Sequence, residues 1–243
     1  LETAEVEQRS LEQLKTDPPR IVFSDQLAVL LLYDGKPNFS PVDNSSYERA
    51  LNTPFLVVKD KRSGFSWLGS GSQWFSAKDP LGPWQSSANP PSDLLQMLPT
   101  DMDSTTVPVS KVVVATKPTE LIATDGKAQW NPLPGGELLY VQNTETPWLR
   151  QLTTGNMYVL LSGRWYRAKS QQGPWTFVRA DELPASFKDI PPASDIGGLR
   201  ASVAGTEEAE DAVIDTSIPQ TTAIKRSEAT LTVEYDGSPK FEK

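Results

Sequence analysis

Three aspartates precede glycine in three copies of one motif, and they are the acids best placed to do chemistry. Asp34-Gly35 lies in Tyr33-Asp34-Gly35-Lys36-Pro37-Asn38-Phe39, Asp125-Gly126 in Thr124-Asp125-Gly126-Lys127-Ala128-Gln129-Trp130, and Asp236-Gly237 in Tyr235-Asp236-Gly237-Ser238-Pro239-Lys240-Phe241. A carboxylate in such a place can serve as an acid or base, or bind calcium. Asp before Gly also makes a tight turn unaided, because Gly accepts positive φ, and the turn is the reading adopted. Asp101-Met102-Asp103-Ser104 hints at a calcium loop but lacks the Gly and distal Glu of an EF-hand.

The chain has no His and no Cys in 243 residues. That removes Ser-His-Asp and Cys-His nucleophiles, His/Cys zinc sites and disulfides. Ser-x-x-Lys, Gly-x-x-x-x-Gly-Lys and Gly-x-Ser-x-Gly are absent too. Catalysis would have to rest on carboxylates, Lys, Tyr or an oxygen-held metal. No catalytic residue, metal ligand or cofactor is expected.

Aromatic residues recur at the same offset as the acids. The first two aspartates are 125 − 34 = 91 residues apart. Gln73-Trp74-Phe75-Ser76-Ala77-Lys78 with Gly82-Pro83-Trp84 matches Arg164-Trp165-Tyr166-Arg167-Ala168-Lys169 with Gly173-Pro174-Trp175, and 165 − 74 is again 91. The chain reads as a tandem duplication with the opening of a third copy. Trp74, Trp84, Trp165 and Trp175 read as core, since each Trp buries a large apolar area. Phe75 and Tyr166 fall on the opposite strand faces and are candidates for exposure and ligand contact. Trp148, at a strand entrance, and Trp67, beside Gly69-Ser70-Gly71-Ser72, are further candidates, with local packing as the plainer reading.

The net charge of −8 and pI of about 4.7 disfavour nucleic acid, which needs clustered Lys and Arg. No apolar run reaches the ~20 residues that span a bilayer. The first residue is Leu1 and the last residues fall inside a repeat, so a piece of a longer protein is expected.

The elements that must position these groups are short strands. Residues 1–19 form an N-terminal helical segment, with 2–15 as helix closed by Pro18-Pro19. A first β-module covers 20–107 and a second covers 108–223. Ile21-Val22-Phe23 and Leu27–Tyr33 read as strands with Asp34-Gly35 as a hairpin turn, and Val112–Val114 takes the place of Ile21–Phe23. Thr146-Pro147-Trp148 matches Thr53-Pro54-Phe55 at an offset of 93, which implies a local gain and loss of two residues. The second module adds a helix near 206–215, capped by Thr206 and led by Glu207 and Glu208. Residues 224–243 open the third repeat, with Leu231, Val233 and Tyr235 on one strand face. The fold class is all-β with minor helices: two homologous small β-modules, sandwich or barrel-like, plus the opening strand of a third.

The run Lys117–Ile122, Gly163–Ala168, Gly173-Pro174-Trp175 and Ser217-Ile218-Pro219-Gln220-Thr221 resembles a group of uncharacterised bacterial repeat proteins, secreted or envelope-associated, often labelled "carbohydrate-binding family V/XII". The label follows Tyr-x-Ala-Lys and a Gly-Pro-Trp segment, met here by Tyr166-Arg167-Ala168-Lys169 and Gly173-Pro174-Trp175. Ser170 and Asp79 stand where the labelled modules carry a sugar-stacking aromatic. The resemblance implies a non-catalytic extracytoplasmic module, structural or adhesive, with weak binding of a polysaccharide or cell-envelope glycan. Self-association through 229–241 is a second expected contact. A carboxylate-based glycan hydrolase, with two facing acids about 5–10 Å apart, and a protein–protein scaffold are the alternatives.

Overall fold

The computed structural model describes residues 17–97 and 108–217. The N-terminal helix expected over 2–15, the segment Asp101–Ser104 and the third-repeat strand expected over 229–241 lie outside the described residues.

The fold is all-β with minor helices. Two six-stranded antiparallel sheets run in chain order. The first holds β3 (Phe39–Pro41), β4 (Tyr47–Ala50), β5 (Leu56–Asp60), β6 (Ser66–Ser70), β7 (Gln73–Ala77) and β8 (Gln85–Ser86). The second holds β11 (Trp130–Pro132), β12 (Leu138–Val141), β13 (Trp148–Gln151), β14 (Met157–Leu161), β15 (Arg164–Ala168) and β16 (Thr176–Val178). Their registers correspond: Arg49 faces Val58 and Leu68 faces Phe75 in the first, while Tyr140 faces Leu149 and Val159 faces Tyr166 in the second, each 91 residues on.

Four further strands join the halves by exchange. β1 (Arg20–Ser24) pairs in parallel with β10 (Thr119–Ala123), and β2 (Ala28–Leu32) pairs in parallel with β9 (Lys111–Ala115). Arg20 faces Thr119 and Ala28 faces Lys111. Because 111 − 20 and 119 − 28 are both 91, a shift of 91 residues turns one pair into the other. The first strand of each half therefore serves the other half. β9 and β2 cover the first sheet, where Val112, Val114, Leu31 and Tyr33 meet Val57, Leu68 and Phe75. β1 and β10 cover the second, where Ile21, Phe23 and Ile122 meet Trp148, Val159 and Tyr166. Packing thus cuts the chain differently from the sequence division into 20–107 and 108–223.

Two local expectations are corrected by these pairings. Asp34-Gly35 is not a hairpin turn, since β2 pairs with β9 while β3 pairs with β4; the turn carries the chain from one layer to the next. Gly35 and Gly126 both hold φ +80°, the left-handed region that favours glycine. The offset of 93 at Thr146-Pro147-Trp148 also fails. The Thr53 hydroxyl accepts from the Phe55 N–H and the Thr144 hydroxyl from the Thr146 N–H, so the equivalents are Thr53 with Thr144 and Phe55 with Thr146. Register then makes Trp148 the counterpart of Val57, with no local gain or loss.

Each Asp-Gly turn is clamped by an asparagine. The Asn52 amide donates to the carbonyls of Asp34 and Lys36, both at 2.8 Å, and its Oδ1 accepts from the Asn38 N–H at 2.9 Å. Asn143 does the same with Asp125 (2.9 Å), Lys127 (3.0 Å) and the Gln129 N–H (2.8 Å). Alanine at either position removes three hydrogen bonds and should cost about 1–3 kcal/mol. Thermal unfolding of N52A and N143A checks this; unchanged midpoints in both would show that the clamp contributes nothing.

The outer face of the second sheet is covered by the segment that follows β16. Phe187, Ile190, Leu199 and Val203 pack on Leu138, Leu149, Tyr158 and Trp165. On the first sheet, Tyr47, Leu56, Val58 and Trp74 cluster with Leu94. Helix α1 (Glu207–Ser217) follows, with the Thr206 hydroxyl accepting from the Ala209 N–H at 3.2 Å. The Arg200–Glu208 ion pair at 2.8 Å ties its first turn to the preceding segment.

Candidate functional site

Strand alternation places Trp74 and Phe75, and Trp165 and Tyr166, on opposite faces of their sheets, but neither face is open. Phe75 is 1% exposed, packed under β2 and β9, and Tyr166 is 3% exposed, packed under β1 and β10. Trp148 is 2% exposed and lies against Phe23 at 4.8 Å and Trp130 at 5.0 Å between ring centroids. None of these three rings offers a face to a sugar, so their expected role as ligand-binding residues is corrected to core packing. The cause is the exchanged strands, which lay a second layer over the face that alternation alone leaves free. Trp67 is half-buried beside the Tyr47–Trp74 cluster, and its indole N–H has no partner among the described residues.

Trp74 and Trp165 are buried as expected, whereas Trp84 and Trp175 are half-buried. The Trp165 N–H donates to the Ser202 carbonyl at 2.7 Å and that of Trp175 to Gln171 at 3.2 Å. The Trp84 N–H has no partner among the described residues, and the Pro80 carbonyl at the position equivalent to Gln171 instead accepts from the Tyr33 hydroxyl at 3.2 Å. Burial of Tyr33, first, and the nearby Asp79 charge push its phenol well above the usual range.

The Asp-Gly acids line two equivalent grooves along the seam between the halves. One, of about 500 Å³, has Leu27 and Leu121 among its apolar residues and Asp125, Asn143, Thr144 and Glu145 among its polar ones. The other, of about 530 Å³, has Asp34, Asn52, Thr53 and Pro54 at the matching positions, with Pro118 in the place of Leu27. The asparagine of each wall is held by its clamp, so the walls are set in advance of any ligand.

One cluster of ionisable side chains has no signature in the linear sequence. Asp60, 5% exposed, accepts from the backbone N–H and Nε of Arg62, both at 3.0 Å, and from the Ser63 hydroxyl at 2.9 Å. The Tyr47 hydroxyl donates to Asp93 at 2.8 Å, and the Arg62 guanidinium donates to that hydroxyl at 3.0 Å and to Asp93 at 3.3 Å. Burial pushes the Asp60 carboxyl up, but the Arg62 and Ser63 hydrogen bonds outweigh it and hold the group below its ordinary range. Burial, and then the bond to Asp93, pushes the Tyr47 phenol up to about 12. The Tyr47 hydrogen bond in turn holds Asp93 low. Acids fixed as acceptors in this way are poor proton donors near neutral pH, and the cluster braces the first sheet. Its counterparts in the second half are Gln151, Thr153, Leu138 and Pro184, where Gln151 accepts from the Thr154 hydroxyl at 2.8 Å. A repeat comparison therefore cannot flag it, while Asn52 and Asn143, each 18 residues after its aspartate, could have been found that way.

The cluster predicts a pH dependence. A carboxyl whose folded pKa lies below its unfolded value of about 3.9 stabilises the fold above that pH and loses the contribution as pH falls through the folded value. Asp60 and Asp93 both have that sign. Urea midpoints of the wild type and D60N should differ at pH 6 and converge towards pH 2. A constant gap over that range would show that Asp60 ionisation does not matter.

Among the described residues, no group of three or more acids, His or Cys is arranged to hold a metal ion. No described helix is long and apolar enough to cross a membrane. No family model, curated protein or solved structure matches this chain.

Proposed function

We propose that this chain is a non-catalytic repeat module of the extracytoplasmic space, structural or adhesive, with weak glycan binding as its specific activity. One observation carries the reading: the residues that the two halves share work in packing and turns. Trp74 and Trp165, Phe75 and Tyr166, and Asn52 and Asn143 are all engaged inside the fold. Repeated residues of that kind define a shape, whereas an enzyme needs a surplus of reactive groups at one place. The seam grooves support the glycan part, since amides, hydroxyls and an aliphatic floor suit a hydroxyl-rich ligand.

A glycan array probed with the native chain, beside a heat-denatured control, tests this. Retention of one glycan class above the control is expected, and equal signals from native and denatured protein would end the glycan reading. Self-association through 229–241 belongs to the same proposal, although those residues lie outside the described ones. Deleting 226–243 should lower the concentration-dependent mass seen by light scattering; identical monomeric masses before and after deletion would refute it.

A further inference from the structure

The largest of the described grooves lies where the equivalence of the halves breaks down. It has a volume of about 870 Å³ and runs between the start of β1, the turn before β10 and the β14–β15 hairpin. Arg20, Lys117 and Arg164 line it from three separate parts of the chain. The parallel register of β1 and β10 sets Arg20 opposite Thr119, two residues from Lys117, and Arg164 is the first residue of β15.

In the first half the matching residues are tied to one another by hydrogen bonds. Gln73, the counterpart of Arg164, donates to the Val109 carbonyl at 3.1 Å and accepts from the Val109 N–H at 2.7 Å. Ser110 adds bonds from its N–H (2.9 Å) and hydroxyl (3.3 Å) to the Leu27 carbonyl. The counterparts of Val109 and Ser110 are Pro18 and Pro19, which have no N–H to offer. With glutamine replaced by arginine and both donors replaced by proline, the tie cannot form, and an open groove with cationic walls stands in its place.

We infer that this groove binds the carboxylate of a single acidic sugar residue within a short glycan. The inference rests on the glycan reading proposed above and names the ligand class. All three cations are exposed, and none forms an ion pair with a carboxylate of the described residues. Guanidinium groups recognise carboxylates through paired N–H donors. Asp17 and Glu120 also line the groove, so its formal charge is +1. The chain as a whole carries −8, and its field repels a polyanion at long range. One acidic group on an otherwise neutral oligosaccharide suits both facts. The Ser162 hydroxyl and the exposed ring edges of Pro18 and Pro118 are available to the neutral remainder. The volume lies within the roughly 300–1,000 Å³ typical of ligand clefts.

The test uses the full chain and two probes: a xylo-oligosaccharide bearing one glucuronate, and the same oligomer without it. Titration calorimetry should show tighter binding of the acidic oligomer, weakened by salt. The double variant R164Q/K117Q, both sites exposed, should lose at least tenfold in affinity for it while keeping the wild-type circular dichroism spectrum. Arg164→Gln alone restores the residue found at the matching position of the first half and should lose part of that affinity. Inorganic phosphate at matched ionic strength should not displace the oligomer; displacement by phosphate would reassign the groove to a simple oxyanion and overturn the sugar. Equal binding of both oligomers, unchanged in the double variant, would overturn the inference and leave the glycan reading standing. Failure of either oligomer to bind, with retention of other glycans on the array, would also overturn the inference alone. Failure on the array as well would remove both.

Discussion

Trp165→Ala should lower the free energy of unfolding by about 3–5 kcal/mol, the usual cost of deleting a buried aromatic. Trp165 is 1% exposed, lies edge-on to Phe187 at 5.3 Å and donates to the Ser202 carbonyl at 2.7 Å. Truncation removes the packing and leaves that carbonyl without its donor. Trp175→Ala should cost less, about 2 kcal/mol, because Trp175 is only half-buried and stacks on Phe23 at 5.9 Å. Urea denaturation of the two variants reads the difference. A wild-type midpoint for W165A would overturn the core placement; equal losses would overturn the ranking.

Phe23→Ala should destabilise the half of the molecule that is remote in sequence. Phe23 lies in β1, yet its ring packs on Trp148 and Trp175 of the second half. Phe23 is half-buried, as Trp175 is, so the expected cost is about 2 kcal/mol. Native-state hydrogen exchange should show the loss in β13–β15, with β5–β7 keeping more of their protection. Val112→Ala, in β9, should give a smaller loss with the opposite location, since Val112 packs with Leu31 and Phe75. If each variant weakened the half that contains it in sequence, the exchange would be refuted.

How far the sequence could lead is clearest at single residues. Apolar runs such as Leu56–Val58 and Val112–Val114 announce strands, and the offset of 91 between Trp74 and Trp165 anticipates two similar sheets. Alternation correctly separates Trp165 from Tyr166. It says nothing about what lies beyond each face, so Tyr166 reads as exposed when β1 and β10 in fact cover it. The exchange itself leaves no local mark: Ile21 and Val112 keep the same spacing whichever sheet each one joins. Thr146-Pro147-Trp148 shows a different limit. Thr-Pro-aromatic matched by residue type, whereas backbone register aligned Trp148 with Val57. The Arg20–Lys117–Arg164 groove depends on strands that meet only in the folded chain, and no linear window contains it.

The exchanged strands also decide how the molecule bears mechanical load. Tension from the N-terminal side enters through β1, which is seated on the second half, and tension from the C-terminal side leaves from that same half. The first half lies on the stretch of chain between β1 and β10, off the direct path of the force. Its crossings to the second half are the short connections 25–27 and 116–118. Five residues of β1 are paired with β10 along their length, so a pull along the strand strains the ladder in shear, all rungs together. The second half therefore takes the strain, and the first half stays slack until β1 slides free.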